Sequence, residues 1–176
     1  MQRKYSFIRL TLSKLFAKSN NSNRAITICS LQNAKTIGIT LAANSRQELH
    51  SFDSAITKLK AYGANVNILG YVPAKKLPDE FADSSIKLIS DKELDFLLHP
   101  NTTEAKQFEN STFDLLIDIN ASEYYPMQKL IQASQAKLKI GRYADVSPFD
   151  IMLSIPSEQP AEYYIEQITL YLQQLN

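Results

Sequence analysis

Phe113-Asp114-Leu115-Leu116-Ile117-Asp118-Ile119-Asn120 decides the fold class. Apolar side chains fill both parities from Leu115 to Ile117, so neither face of this strand is written for water. A strand apolar on both faces belongs inside a parallel sheet that helices cover from either side. Upstream, Lys35–Ala43 (KTIGITLAA) has the same character over Ile37 to Leu41. Ser45-Arg46-Gln47-Glu48 then spells a capping box, in which the serine oxygen accepts an orphan helix N–H while the glutamate reaches back. The helix it opens carries Leu49, Phe52, Ile56 and Leu59 on one face, and Gly63 stands where a left-handed terminating residue is wanted. Val66–Val72 (VNILGYV) completes a strand–helix–strand unit.

Pro73–Ser85 is polar and proline-containing, which predicts a loop, and Ile86–Ile89 is a short strand near an edge. Asp91–Leu98 fits a helical turn or another short strand. Pro100 breaks it, and Asn101–Asn110 is a short helix with an Asn-x-x-Glu start. Downstream of the central strand, Tyr124–Ala136 is a helix with Pro126 in its first turn, where a missing N–H costs nothing. Met127, Leu130, Ile131 and Ser134 form its inward stripe. Leu138–Tyr143 and Phe149–Ile155 are strands. Pro160 opens a last helix with Ala161, Tyr164, Ile165, Ile168, Leu172 and Leu175 at core spacing. Strands alternating with helices predict one α/β domain over 25–176. It is Rossmann-like or flavodoxin-like, with a mostly parallel sheet and helices on both faces.

Residues 1–24 stand apart from that domain. Tyr5, Ile8, Leu12, Leu15 and Phe16 fall at helical spacing within 4–18, and Ser19-Asn20-Asn21-Ser22-Asn23 is a polar linker. Arg3, Lys4, Arg9, Lys14, Lys18, Arg24, Lys35 and Arg46 precede the first carboxylate, Glu48. The rest of the chain holds the remaining eleven basic and all eighteen acidic groups, a net of −7 beneath an overall +1. A basic amphipathic helix suits an anionic membrane surface or RNA phosphates, such as those of the ribosome. An organelle transit peptide shares the pattern. So does a basic end that folds back on an acidic domain. Arg9 and Lys14 interrupt any signal-peptide core, no apolar run approaches a membrane span, and the one cysteine, Cys29, permits no internal disulfide. These features predict a cytoplasmic protein, with the inner membrane face as one site of peripheral attachment.

For chemistry, the carboxyl ends of the strands are where open α/β sheets hold ligands. Asp118 and Asn120 alternate on the central strand and point to one side, Arg142 follows the fifth strand, and Tyr71 ends the second. A carboxylate, an amide and a guanidinium at one rim suit a polar ligand, with Arg142 able to grip a carboxylate or phosphate. Asp118 pairing with Arg142, or capping the next helix, produces the same pattern. Four glycines, Gly38, Gly63, Gly70 and Gly141, spell neither a P-loop nor the dinucleotide fingerprint. His50, His99 and Cys29 make no metal cluster, so no metal or cofactor is expected. Cys29 sits among Ile26, Ile28 and Leu31 and reads as buried and inert. Tyr124-Tyr125 and Tyr163-Tyr164, at helix starts, read as packing groups with wet hydroxyls.

Lys35-Thr36-Ile37-Gly38-Ile39, Leu69-Gly70-Tyr71, Lys92–Phe96, Phe113–Asp118, Ala136–Tyr143, Ile165-Glu166-Gln167 and Tyr171-Leu172 together resemble an uncharacterised domain-of-unknown-function family of Bacteroidota. The likeness covers about residues 35–176 and implies a bacterial cytosolic protein without assigning a reaction. The 113–120 and 136–142 segments are also similar to the first domain of heptosyltransferase-type glycosyltransferases. Those enzymes need a second such domain, and this chain is too short to supply it. The expectation is a non-catalytic binding or adaptor domain; the alternative is a small-molecule-binding or glycosyltransferase-like domain using Asp118, Asn120, Arg142 and Tyr71.

Overall fold

The computed structural model describes residues 24–144 and 147–175. The expected helix over 4–18, its linker, and Arg3, Lys4, Arg9, Lys14 and Lys18 lie outside the described residues. The elements run β1 (Thr36–Ala42), α1 (Arg46–His50), α2 (Asp53–Lys60), β2 (Asn65–Tyr71), β3 (Lys87–Ile89), α3 (Thr103–Asn110), β4 (Leu115–Asp118), α4 (Tyr125–Ala133), β5 (Leu138–Arg142), β6 (Ile151–Leu153) and α5 (Ala161–Gln174). The strands form one sheet in the order β3-β2-β1-β4-β5-β6, and every pairing is parallel. This is the doubly wound order, with its direction reversing between β1 and β4.

The apolar pattern explains the layering. On one face, Ile37, Ile39, Leu41, Leu115, Ile117, Ile119, Leu138 and Ile140 pack under α2 and α5, through Ile56, Leu59, Tyr164, Ile165 and Ile168. On the other, Ala42, Leu69, Tyr71 and Leu116 meet α3 and α4 through Ala105, Phe108, Met127, Leu130 and Ile131. All four residues of β4 are buried, as its two-faced apolar character requires.

Local signals set the boundaries, with corrections. The helix expected after Ser45 is two, because Ser51 and Phe52 interrupt it. Ser45 accepts the Glu48 N–H at 3.2 Å, whereas the Glu48 carboxylate reaches one residue further back, to the Asn44 N–H at 2.7 Å. Gly63 closes the turn after α2 with φ 79°, a conformation that Cβ-bearing residues adopt only with strain. The Asp91–Leu98 stretch takes the helical alternative, a 3-10 turn at Asp91–Glu93, after which Leu94 makes a single antiparallel bridge to Pro100 and no strand. The cap of α3 is Thr102, whose oxygen accepts the Ala105 N–H, in place of Asn101. The outer strands β3 and β6 are three residues each.

Candidate functional site

Where the strand order reverses, a cleft of about 200 Å³ lies at the carboxyl ends of β1 and β4. Asn120, Arg142, Tyr124 and Glu48 line it on the polar side, and Phe52, Ile119, Pro160 and Ala161 on the apolar side.

Parity and register determine what reaches it. Thr40 pairs with Asp118 across β1 and β4, so both side chains point to the α4 face, and Thr40 donates its hydroxyl to Asp118 Oδ1 at 3.0 Å. Asn120 donates Nδ2 to the same oxygen, while its Oδ1 accepts the Ala42 N–H at 2.6 Å. These bonds tie the ends of β1 and β4 together beneath the cleft. Burial raises the Asp118 carboxyl to about 7, tempered by Thr40, Asn120 and the charge of Arg142.

Arg142 is elsewhere. The β4–β5 register pairs Leu116 with Lys139 and Ile117 with Ile140, so Ile119 stands opposite Arg142 and Asp118 opposite Gly141. Arg142 therefore lies on the α5 face, over the Tyr164 ring at 4.7 Å from its centroid. The structure brings Asp118 and Asn120 together and brings Asn120 and Arg142 to one cleft. Asp118 and Arg142 it puts on opposite faces of the sheet, joined only by the field between them. Tyr71 is a packing residue behind the site, its hydroxyl donated to Asp91 and its ring edge-on to Tyr124 at 6.1 Å.

Three participants are not among the site residues expected from the sequence. Thr40 was hidden in a run apolar on both faces. Glu48 was visible only as a cap. Tyr124 was read as a packing group, but it lines the cleft and its hydroxyl accepts from Asn44 at 3.2 Å.

The position where this strand order usually takes a phosphate, the turn from β1 into its helix, is already filled. The Asn44 N–H goes to the Glu48 carboxylate and the Arg46 N–H to the Glu80 carboxylate at 3.2 Å. Two carboxylates of the protein itself thus accept N–H groups of this turn.

The remaining groups serve structure. Arg24, expected to join the basic surface, turns inward, bonding Asp150 and the carbonyls of Ala136 and Lys137. It belongs with the domain because those partners immediately precede β5 and β6. Burial would raise the Asp114 carboxyl, but Lys137 and the amides of Lys35 and Thr36 outweigh it and hold it at about 2. Lys139 is buried with its Nζ on the Gln132 carbonyl, and burial, with Arg24 adding to it, lowers its pKa to about 8. Cys29 is half-buried against the core, and burial pushes its thiol up, away from the reactive thiolate. His50 is exposed beside Asp53, and His99 reaches Glu109 at 2.7 Å. Among the described residues no group of three or more His, Cys, Asp or Glu could hold a metal ion, and no helix is long and apolar enough to cross a membrane.

The chain belongs to a family of unknown function, DUF6913, whose model matches residues 4–175. That match takes in most of the basic segment as well as the domain, and so extends further toward the amino end than the motifs between 35 and 176. No curated protein matches the sequence.

Proposed function

We propose that this protein is a non-catalytic binding or adaptor domain that docks on a phosphate-rich anionic surface, ribosomal RNA or the inner face of a membrane, through its basic amino-terminal segment. The observation that carries this reading is the division of charge, with eight basic groups before the first acidic one. The folded domain supports it in two ways. First, the chain enters at the amino-terminal edge of the sheet, where Arg24 and the Thr27 N–H bind the backbone at the start of β5, at the opposite end from the cleft. Second, two carboxylates at that entry are already engaged, Asp150 with Arg24 and Asp114 with Lys137, and so are not free to receive Arg3, Lys4, Arg9, Lys14 or Lys18.

The test is deletion of residues 1–23, which keeps Arg24 and the domain whole, followed by co-sedimentation with ribosomes and separately with anionic vesicles. The full chain sediments with one of the two. If all five cations engage phosphates, its affinity drops by roughly 10²–10³-fold between 50 and 200 mM salt. Identical sedimentation of the truncated and full chains at low salt would refute the reading.

A second reading is favoured by one observation, the cleft at the strand-order reversal with Arg142 on its wall. It makes the protein a small-molecule-binding domain, and docking and ligand then occupy opposite ends of one sheet.

A further inference from the structure

Among the described residues, Arg142 is a cation without an ion-paired anion. Nη1 donates to the carbonyls of Ile155 and Pro156 at 3.0 and 2.9 Å, and Nη2 to that of Gln159 at 3.4 Å. These carbonyls and the Tyr164 ring fix the guanidinium plane, yet they are dipoles and carry no charge. Among the described residues no carboxylate makes an ion pair with it. Asp118, whose charge it feels, is across the sheet, and Glu158 hydrogen-bonds Ser157. Nε is buried with no hydrogen-bond partner. Leaving such a donor unpaired is unfavourable. Nε is closed off from the cleft, so the donor left to a ligand is Nη2, which makes only one long and exposed bond.

The rest of the cleft selects among anions. Phe52, Ile119 and Pro160 form an apolar wall. Glu48 stands on the rim, its charge directed to Asn44, and opposes a doubly charged ligand. About 200 Å³ holds roughly half a dozen waters' worth of matter. We propose that the cleft binds a small monocarboxylate with a short aliphatic body, its carboxylate on Arg142 in place of the long Gln159 contact and its chain against Phe52, Ile119 and Pro160. The inference rests on the second reading above and is independent of docking.

The experiment is thermal unfolding of the full chain at pH 7 and constant ionic strength with acetate, propionate and butyrate, with propionamide as the neutral isostere and inorganic phosphate as the alternative anion. Propionate and butyrate raise Tm progressively with concentration, as a ligand of the native state must. Propionamide and phosphate leave it unchanged. Arg142→Gln weakens the carboxylate effect at least tenfold in concentration. Ser122→Phe, a change at the cleft wall that leaves Arg142 intact, does the same and decides the matter if the first variant does not fold. A shift that survives Ser122→Phe, or one that phosphate or propionamide matches, overturns the proposal. If none of the ligands shifts Tm, the small-molecule reading falls with it, and docking by residues 1–23 is untouched.

Discussion

Replacing Asp118 with asparagine should change the way stability depends on pH. The wild-type carboxyl is buried, and burial raises it from 3.8 to about 7. Between those values the native state holds a proton that the unfolded chain has released. Stability therefore falls as pH rises through the window, and the loss is complete above the folded value. Roughly three pH units at about 1.4 kcal/mol each make a contribution of about 4 kcal/mol at most. The amide of the Asp118→Asn variant cannot ionise, yet its oxygen can still accept from Thr40 and Asn120 as Asp118 Oδ1 does. The assay is urea unfolding of both proteins from pH 4 to pH 8. Other titrating groups, the buried Lys139 among them, are common to both and cancel in the difference. The variant should gain on the wild type by about 3–4 kcal/mol across this range. A pH-independent gap would refute the reasoning. So would a wild type that gains on the variant as pH rises, because the Arg142 field would then hold the carboxylate ionised.

Two other substitutions test the frame around the site. At Gly141 an added Cβ would lie 2.1–2.3 Å from ring atoms of Phe149, so Gly141→Ala must displace that ring and should cost about 1–3 kcal/mol in urea unfolding. In a Phe149→Ala background the same change should be nearly neutral; an equal cost in both backgrounds would place the strain elsewhere. Arg24→Ala removes an ion pair whose side chains are each 12% exposed, together with two carbonyl bonds, and should cost about 2–3 kcal/mol. Asp150→Asn should absorb most of that cost in a double-mutant cycle, and the surface docking of Arg24→Ala should match that of the wild type. Additive effects of the two changes would sink the internal role assigned to Arg24.

Much of the fold was legible because its signals are local. The unalternating apolar runs of β1 and β4, the left-handed Gly63 and Pro126 at the start of α4 each act within a few residues. The site was legible only in part, because register is not local. Strand parity determines which face a side chain takes, and the start of pairing sets that parity between strands. Asp118 and Arg142 each stand at the carboxyl end of a strand, so the sequence supports their meeting at one rim. The pairing of Ile117 with Ile140 separates them, and no periodicity encodes it. Thr40 was hidden for a related reason. It looks like a tolerated β-branched residue within an apolar run, and only alignment with Asp118 makes it a buried donor. The break at Ser51-Phe52 was also out of reach, since Leu49, Phe52, Ile56 and Leu59 keep helical spacing across it.

The strand order is one that often carries a nucleotide, and the first turn of this chain lacks the glycines that such sites use. A dinucleotide site needs bare backbone N–H groups at the first turn after β1, with glycine allowing close approach. This turn is Ala43-Asn44-Ser45-Arg46, which has no glycine, and two of its N–H groups face carboxylates of the protein. Two N–H groups of that turn are thus engaged internally, and a guanidinium on β5 lines the cleft at the reversal point. Recognition by a single side chain differs in kind from recognition by a row of amides. It suits one compact charge rather than a polyphosphate, and it depends on the loop carbonyls of Ile155, Pro156 and Gln159 that hold the guanidinium in place. On the proposal above, the loop between β6 and α5, which has no role in a nucleotide site of the usual kind, would set the specificity of the cleft through its hold on Arg142.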